Sequence, residues 1–221
     1  MIKGLFSYEL FGQTFWITTT HIGMLIIDIV IITIALIARH SMKNAQMVPK
    51  GLQNVTELIT ELVDKLVHEN MKQPKKFVNY IGTIFIFILL CNLGGLFGLR
   101  SPTADFGVTF ALGLITFGLI HYNGIKTNKL GHVKGLFEPV PFFFPINLIG
   151  EIANPISISL RLFANMLAGT LIMALWYGVM PWLFTKLGIP AFLHAYLDVF
   201  SGCIQTYVFC MLTMAYVDEK M

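Results

Sequence analysis

Apolar residues gather into long runs divided by short polar segments. Residues 17–38, 77–99, 106–122, 145–180 and 189–217 are each long and apolar enough, as helices, to cross or nearly cross a hydrocarbon core about 30 Å thick. Residues 51–70 follow another rule. Leu52, Val55, Ile59, Leu62 and Leu66 recur at helical spacing, and Glu57, Glu61, Asp64 and Lys65 fill positions between them. That pattern predicts an amphipathic surface helix whose charges form a solvated face. The expected fold is an all-α integral membrane protein: one membrane domain over residues 1–221, with five membrane-spanning helices and one surface helix.

Composition agrees, with 56% apolar residues, 12% charged residues and a mean hydropathy of +0.73. The N-terminal residues show no short apolar core followed by a small-residue cleavage site, so the first apolar run is expected to be a true span. Cys91, Cys203 and Cys210 lie in apolar segments without metal-ligand spacing and are expected to act as small buried hydrophobes. Arg39, Lys43 and Lys50 follow the first span, Lys72, Lys75 and Lys76 precede the second, and Lys126, Lys129 and Lys134 follow the third. Placing these clusters in the cytoplasm leaves Lys3, Arg100 and Lys186 outside. The N-terminus is then outside and the C-terminus inside. The positive net charge of +3 has its explanation in topology, and nucleic acid need not be invoked.

The last two spans are unusually long. Residues 147–177 alone would measure roughly 45 Å as a helix, which predicts strong tilt. They also carry the polar residues that need explaining. Projected at about 100° per residue, Asn154, Ser157, Arg161 and Asn165 share one stripe, and His194, Asp198, Ser201 and Gln205 share another. Singly, Ser157 and Asn165 could be interhelical glue, His194 a satisfied core histidine and Gln205 a backbone cap. Together they suggest a polar path for an ion. Arg161 is the most demanding residue, because a guanidinium keeps its proton and costs about 2.5 to 3.5 kcal/mol at the middle of a membrane helix.

The run Ser159-Leu-Arg-Leu-Phe-Ala-Asn-Met-Leu-Ala-Gly169, with Asp198 ahead of Gln205-Thr-Tyr-Val-Phe, resembles subunit a of F-type ATP synthase. Val48-Pro-Lys-Gly-Leu-Gln-Asn54, Phe87-Ile-Leu-Leu-Cys-Asn92, Ser101-Pro-Thr-Ala-Asp105, His121-Tyr-Asn-Gly-Ile-Lys126 and Phe144-Pro-Ile-Asn147 extend the resemblance over residues 48–217. It implies an ion-translocating stator of the membrane sector, not catalytic alone and without a cofactor or metal, in a bacterial-type plasma membrane. Implied partners are a rotating ring of proteolipid c subunits, the peripheral-stalk subunit b and the rest of the ATP synthase complex. Two offset half-channels would pass H⁺ or Na⁺ to the ring carboxylates.

In that scheme Arg161 matches the essential arginine between the half-channels, and Asn165 and Gln205 match its flanking positions. Asp198 falls where relatives carry a titratable Glu or His, and Thr170 where many carry a second such group. The outer path would therefore depend on Asp198, aided by His194. Glu151 is either an inner-channel group or a snorkelling, solvated Glu. Asn92 and Asp105 could line an outer vestibule, or could be a helix-packing residue and an N-cap. Asp28, deep in the first span, calls for a partner or a water cavity and is a further candidate for the vestibule. A secondary transporter fits less well, since no internal repeat is visible. A membrane hydrolase would need a nucleophile or metal motif that the sequence lacks.

Overall fold

The computed structural model describes residues 4–10, 13–43, 50–128, 142, 144–180 and 188–220. Lys3, Lys129, Lys134 and Lys186, used above to argue orientation, lie outside the described residues. The helices are α1 (Thr19–Lys43), α2 (Leu52–Asn70), α3 (Pro74–Leu93), α4 (Phe106–Asn128), α5 (Phe144–Val179) and α6 (Ile189–Glu219). All but α2 are long and apolar enough to cross a membrane, as expected. Two short 3-10 turns, Gly94–Phe97 and Pro102–Ala104, connect α3 to α4. Gly98, at φ 71°, closes the first of them in the left-handed region that glycine tolerates.

One element departs from the expectation. An antiparallel ribbon of β1 (Gly4–Leu10) and β2 (Gln13–Thr18) precedes α1. Ile17 and Thr18 therefore belong to a strand, the first helix begins at Thr19, and it continues past residue 38 to Lys43. The segment Gln-Thr-Phe-Trp-Ile-Thr is rich in aromatic and β-branched residues that favour strands. Its hydrophobicity runs on into the helix without a break, which hid the boundary.

The core lies where α2, α3, α4, α5 and α6 meet, around Val67, Ile81, Ile88, Ile120, Leu162, Phe209 and Met214. Helix α2 contributes Val63 and Val67, and Gly82 of α3 makes room for it. Leu52, Val55, Ile59 and Leu62 of the apolar stripe stay exposed, as does a row on α1 that includes Leu25, Ile29, Ile32 and Leu36. Such faces suit lipid. Cys91 and Cys210 are buried as expected, but Cys203 is exposed on the outward side of α6.

Small residues set the close crossings. A Cβ at Gly202 would lie 3.0 Å from Asn92 Cβ, so α3 and α6 approach closely there. Asn92 Nδ2 then donates to Gly202 O at 3.0 Å and Thr206 Oγ1 at 3.1 Å, while its Oδ1 accepts from Thr103 Oγ1 at 2.7 Å. At the other close crossing, Ser159 Oγ donates to Pro155 O at 2.6 Å against Gly113 of α4.

Charges collect at one end of the bundle. Lys72, before α3, reaches Asp218 near the end of α6 through its backbone N–H at 2.9 Å and its ammonium at 3.3 Å. The ends of α4, α5 and α6 meet there through His121, Glu151 and Lys220. At the opposite end Thr20 Oγ1 donates to Asp105 Oδ2 at 3.2 Å, and Gly107 N–H donates to Asp105 Oδ1 at 3.1 Å. Asp105 thus caps α4 and ties it to α1.

A Cβ at Gly113 would lie 2.1 Å from Ser159 Oγ and 2.8 Å from Pro155 O. Gly113→Ala should therefore force α4 from α5 and destabilise the fold by about 1 to 3 kcal/mol, as overpacking does. Thermal unfolding in detergent would show a lower midpoint. Adding Ser159→Ala should recover only part of the loss, because the backbone carbonyl remains.

Candidate functional site

Arg161 projects from α5 on its exposed side, in line with Ser157, Ala164 and Ala168, while Ile158, Leu162 and Met166 face the core. Among the described residues none forms an ion pair or hydrogen bond with its guanidinium. The expected polar stripe divides here. Ser157 and Arg161 face outward, whereas Asn165 Oδ1 accepts from Ser201 Oγ of α6 at 3.0 Å. Gln205 is 7% exposed, and its Nε2 meets no acceptor among the described residues.

A cleft of about 650 Å³ opens beside the far end of α5, lined in part by Thr19, Gly95, Arg100, Thr170, His194 and Asp198. His194 and Asp198 lie one turn apart, and Nδ1 of the imidazole is 2.5 Å from Asp198 Oδ2. A carboxylate only accepts, so Nδ1 carries the hydrogen, and Nε2 lies 3.3 Å from the Tyr177 hydroxyl. Asp198 itself is 9% exposed and rests against Gly95, where a Cβ would stand 3.4 Å from Oδ2. Residues Ala195–Phe200 form a π-helical turn within α6. Such turns often mark functional sites. Tyr177, Arg100 and Thr19 escaped the sequence reading; only the i, i+4 spacing of His194 and Asp198 was there to see.

A second cleft, of about 620 Å³, opens at the opposite end, with His121, Asn147, Glu151, Asn154, Glu219 and Lys220 in its lining. His121 Nε2 lies 2.8 Å from Glu151 Oε2, and Lys220 Nζ lies 2.5 Å from Glu151 Oε1. Glu151 is therefore held within the protein, its side chain 11% exposed. His121 and Lys220 were not anticipated as its partners.

Arg161 lines neither cleft. It lies about 15 Å along α5 from Glu151 and about 13 Å from Thr170, at about 1.5 Å per residue, so it divides the helix nearly in half between them. The suggested vestibule residues fall elsewhere. Asn92 is fully buried in the packing knot described above, because its amide fits the backbone crossing of α3 and α6. Asp105 is occupied as a cap and tether, and Asp28 is exposed on α1. None of the three lines the Asp198 cleft.

The family model described as ATP synthase A chain matches residues 21–218. The chain is 40% identical over 206 residues to "ATP synthase subunit a, sodium ion specific" of Propionigenium modestum, covering 85% of this chain and 70% of that protein. It is 36% identical over 194 residues to ATP synthase subunit a of a Sulfurihydrogenibium species, covering 85% and 91%. It is 34% identical over 227 residues to the chloroplastic subunit a of Stigeoclonium helveticum, covering 97% and 86%.

Clefts at opposite ends of α5 should admit water from opposite sides. In a cysteine-free background, Thr170→Cys should react with an impermeant thiol reagent from one face of the membrane only, and Asn154→Cys from the other only. Labelling of both from the same face would contradict the two-cleft geometry.

Proposed function

This chain belongs to the ATP synthase A chain family, and on that premise we propose that its two clefts are offset half-channels meeting at Arg161. The protein is a multi-pass, non-catalytic subunit of the ATP synthase complex that translocates ions through the membrane sector. The observation that carries the finer reading is the position of Arg161, unpaired among the described residues and midway between clefts that open at opposite ends.

The exposed face of Ser157, Arg161, Ala164 and Ala168 is the seat of a ring of proteolipid c subunits, each bringing a carboxylate to the guanidinium. Small side chains let a ring helix approach closely. Arg161 favours the ionised carboxylate as it passes and bars ions from crossing directly between the clefts. Each charge moving through the full potential releases about 2.3 kcal/mol per 100 mV, energy conserved only if the ring must turn.

The Asp198 cleft is the outer half-channel. Tyr177, His194 and Asp198 form a continuous set of groups able to exchange protons, leading from the exposed Tyr177 to the buried Asp198. The Glu151 cleft is the inner half-channel, on the side of the Lys72 and Lys220 clusters, with the C-terminus in the cytoplasm of a bacterial-type cell. Gln205 and Asn165 position water or the guanidinium between the two. Subunit b of the peripheral stalk is a further partner.

Arg161→Ala should abolish coupled ATP synthesis and ATP-driven pumping in inverted vesicles while the complex still assembles, since removing an intramembrane charge does not hinder insertion. Substantial pumping by the variant would remove Arg161 from its central role.

Asp198→Asn should cut passive proton conduction per assembled complex about a hundredfold or more, the scale of a lost acid–base group, with Asp198→Glu retaining more. Normal conduction by the Asn variant would refute the relay. A defect that higher Na⁺ partly overcomes would instead identify a cation path.

A further inference from the structure

Two basic side chains from different helices converge on the Glu151 carboxylate. Lys220 Nζ holds Oε1 at 2.5 Å and His121 Nε2 holds Oε2 at 2.8 Å. The other ring nitrogen, His121 Nδ1, lies 3.1 Å from the Phe117 carbonyl. Both ring nitrogens thus face oxygen atoms.

The two side chains are held very differently. His121 belongs to α4, with its ring against that of Phe117 at 4.0 Å between centroids. Lys220 lies just beyond the last residue of α6, on a long side chain that remains 28% exposed. Two residues earlier, Asp218 is fastened to Lys72 through its backbone and its ammonium. Lys220 can therefore swing from an anchored point at little structural cost, and its departure leaves Glu151 paired with His121. The carboxylate keeps a hydrogen-bond partner.

An ammonium on a carboxylate oxygen occupies the place that a proton or a monovalent cation would take. We propose that Lys220 is a tethered competitor gating the Glu151 cleft, which must release Oε1 before an ion from that side can take its place. This rests on the reading of the Glu151 cleft as an ion path. Glu219, on the lining of the same cleft, offers the displaced ammonium a second carboxylate.

The test uses the assembled membrane sector in vesicles stripped of the catalytic head, with passive H⁺ and Na⁺ flux driven from the Glu151 side and normalised to assembled complex. Lys220→Gln should lower the half-saturating ion concentration about two- to fivefold, the range for a partly exposed ion pair, whereas Lys220→Arg should stay near the parent. In a Glu151→Gln background, itself impaired, Lys220→Gln should add nothing, because the competitor has lost its seat. Unchanged or weaker ion uptake in Lys220→Gln, with Glu151→Gln still impaired, would overturn the gate and leave the inner path standing. Normal flux in Glu151→Gln would overturn both.

Discussion

A guanidinium on the exposed side of a membrane helix needs a counter-charge, and the described residues do not supply one. Arg161 cannot discharge, and among the described residues nothing in the fold pairs with it. The architecture around it supports that exposure. Ile158, Leu162 and Met166 turn the other side of α5 into the core. Gly113 admits α4 against Ser159 and Pro155, and Asn165 fastens α5 to Ser201 of α6. The helix is fixed on its packed side, so the arginine is presented outward on a firmly packed support.

The charged groups in the clefts follow the opposite rule. Asp198 is held by His194, and Glu151 by His121 and Lys220. Each carboxylate is largely out of solvent and meets an imidazole, and Glu151 meets an ammonium as well. Asn92 shows what a permanent polar contact looks like in the same bundle. Its amide makes three hydrogen bonds at a backbone crossing where nothing is free to move.

Much of this was legible in the sequence because membrane helices must satisfy their own backbone in lipid and therefore advertise themselves as long apolar runs. The five spans follow from that constraint alone, and Arg161 stands out because a charge there is costly. The pairing of His194 with Asp198 is local, one helical turn, and so was visible too. Contacts across the chain were not. His121 and Lys220 come from opposite sides of Glu151 in sequence and meet it only once α4, α5 and α6 have packed. The β1–β2 ribbon was masked by hydrophobicity continuous with α1, and the stripe projection assumed an unbroken α-helix where α6 has a π-helical turn.

That π-helical turn also bears on how Asp198 is held in the cleft that Thr170 helps to line. Thr170 lies across the Asp198 cleft from His194 and spends its hydroxyl on the Met166 carbonyl of its own helix, at 2.8 Å. The acid and the imidazole are both carried by α6 instead, four residues apart where α-helix passes into π-helix. A pair divided between α5 and α6 would lengthen or shorten whenever those helices slid or tilted. A pair on one helix keeps its spacing through such motion, and only its distance to Tyr177 of α5 changes. The wider π-helical turn also turns Asp198 toward Gly95, where the absent side chain lets the carboxylate sink out of solvent. The acid–imidazole spacing is thereby separated from interhelical movement.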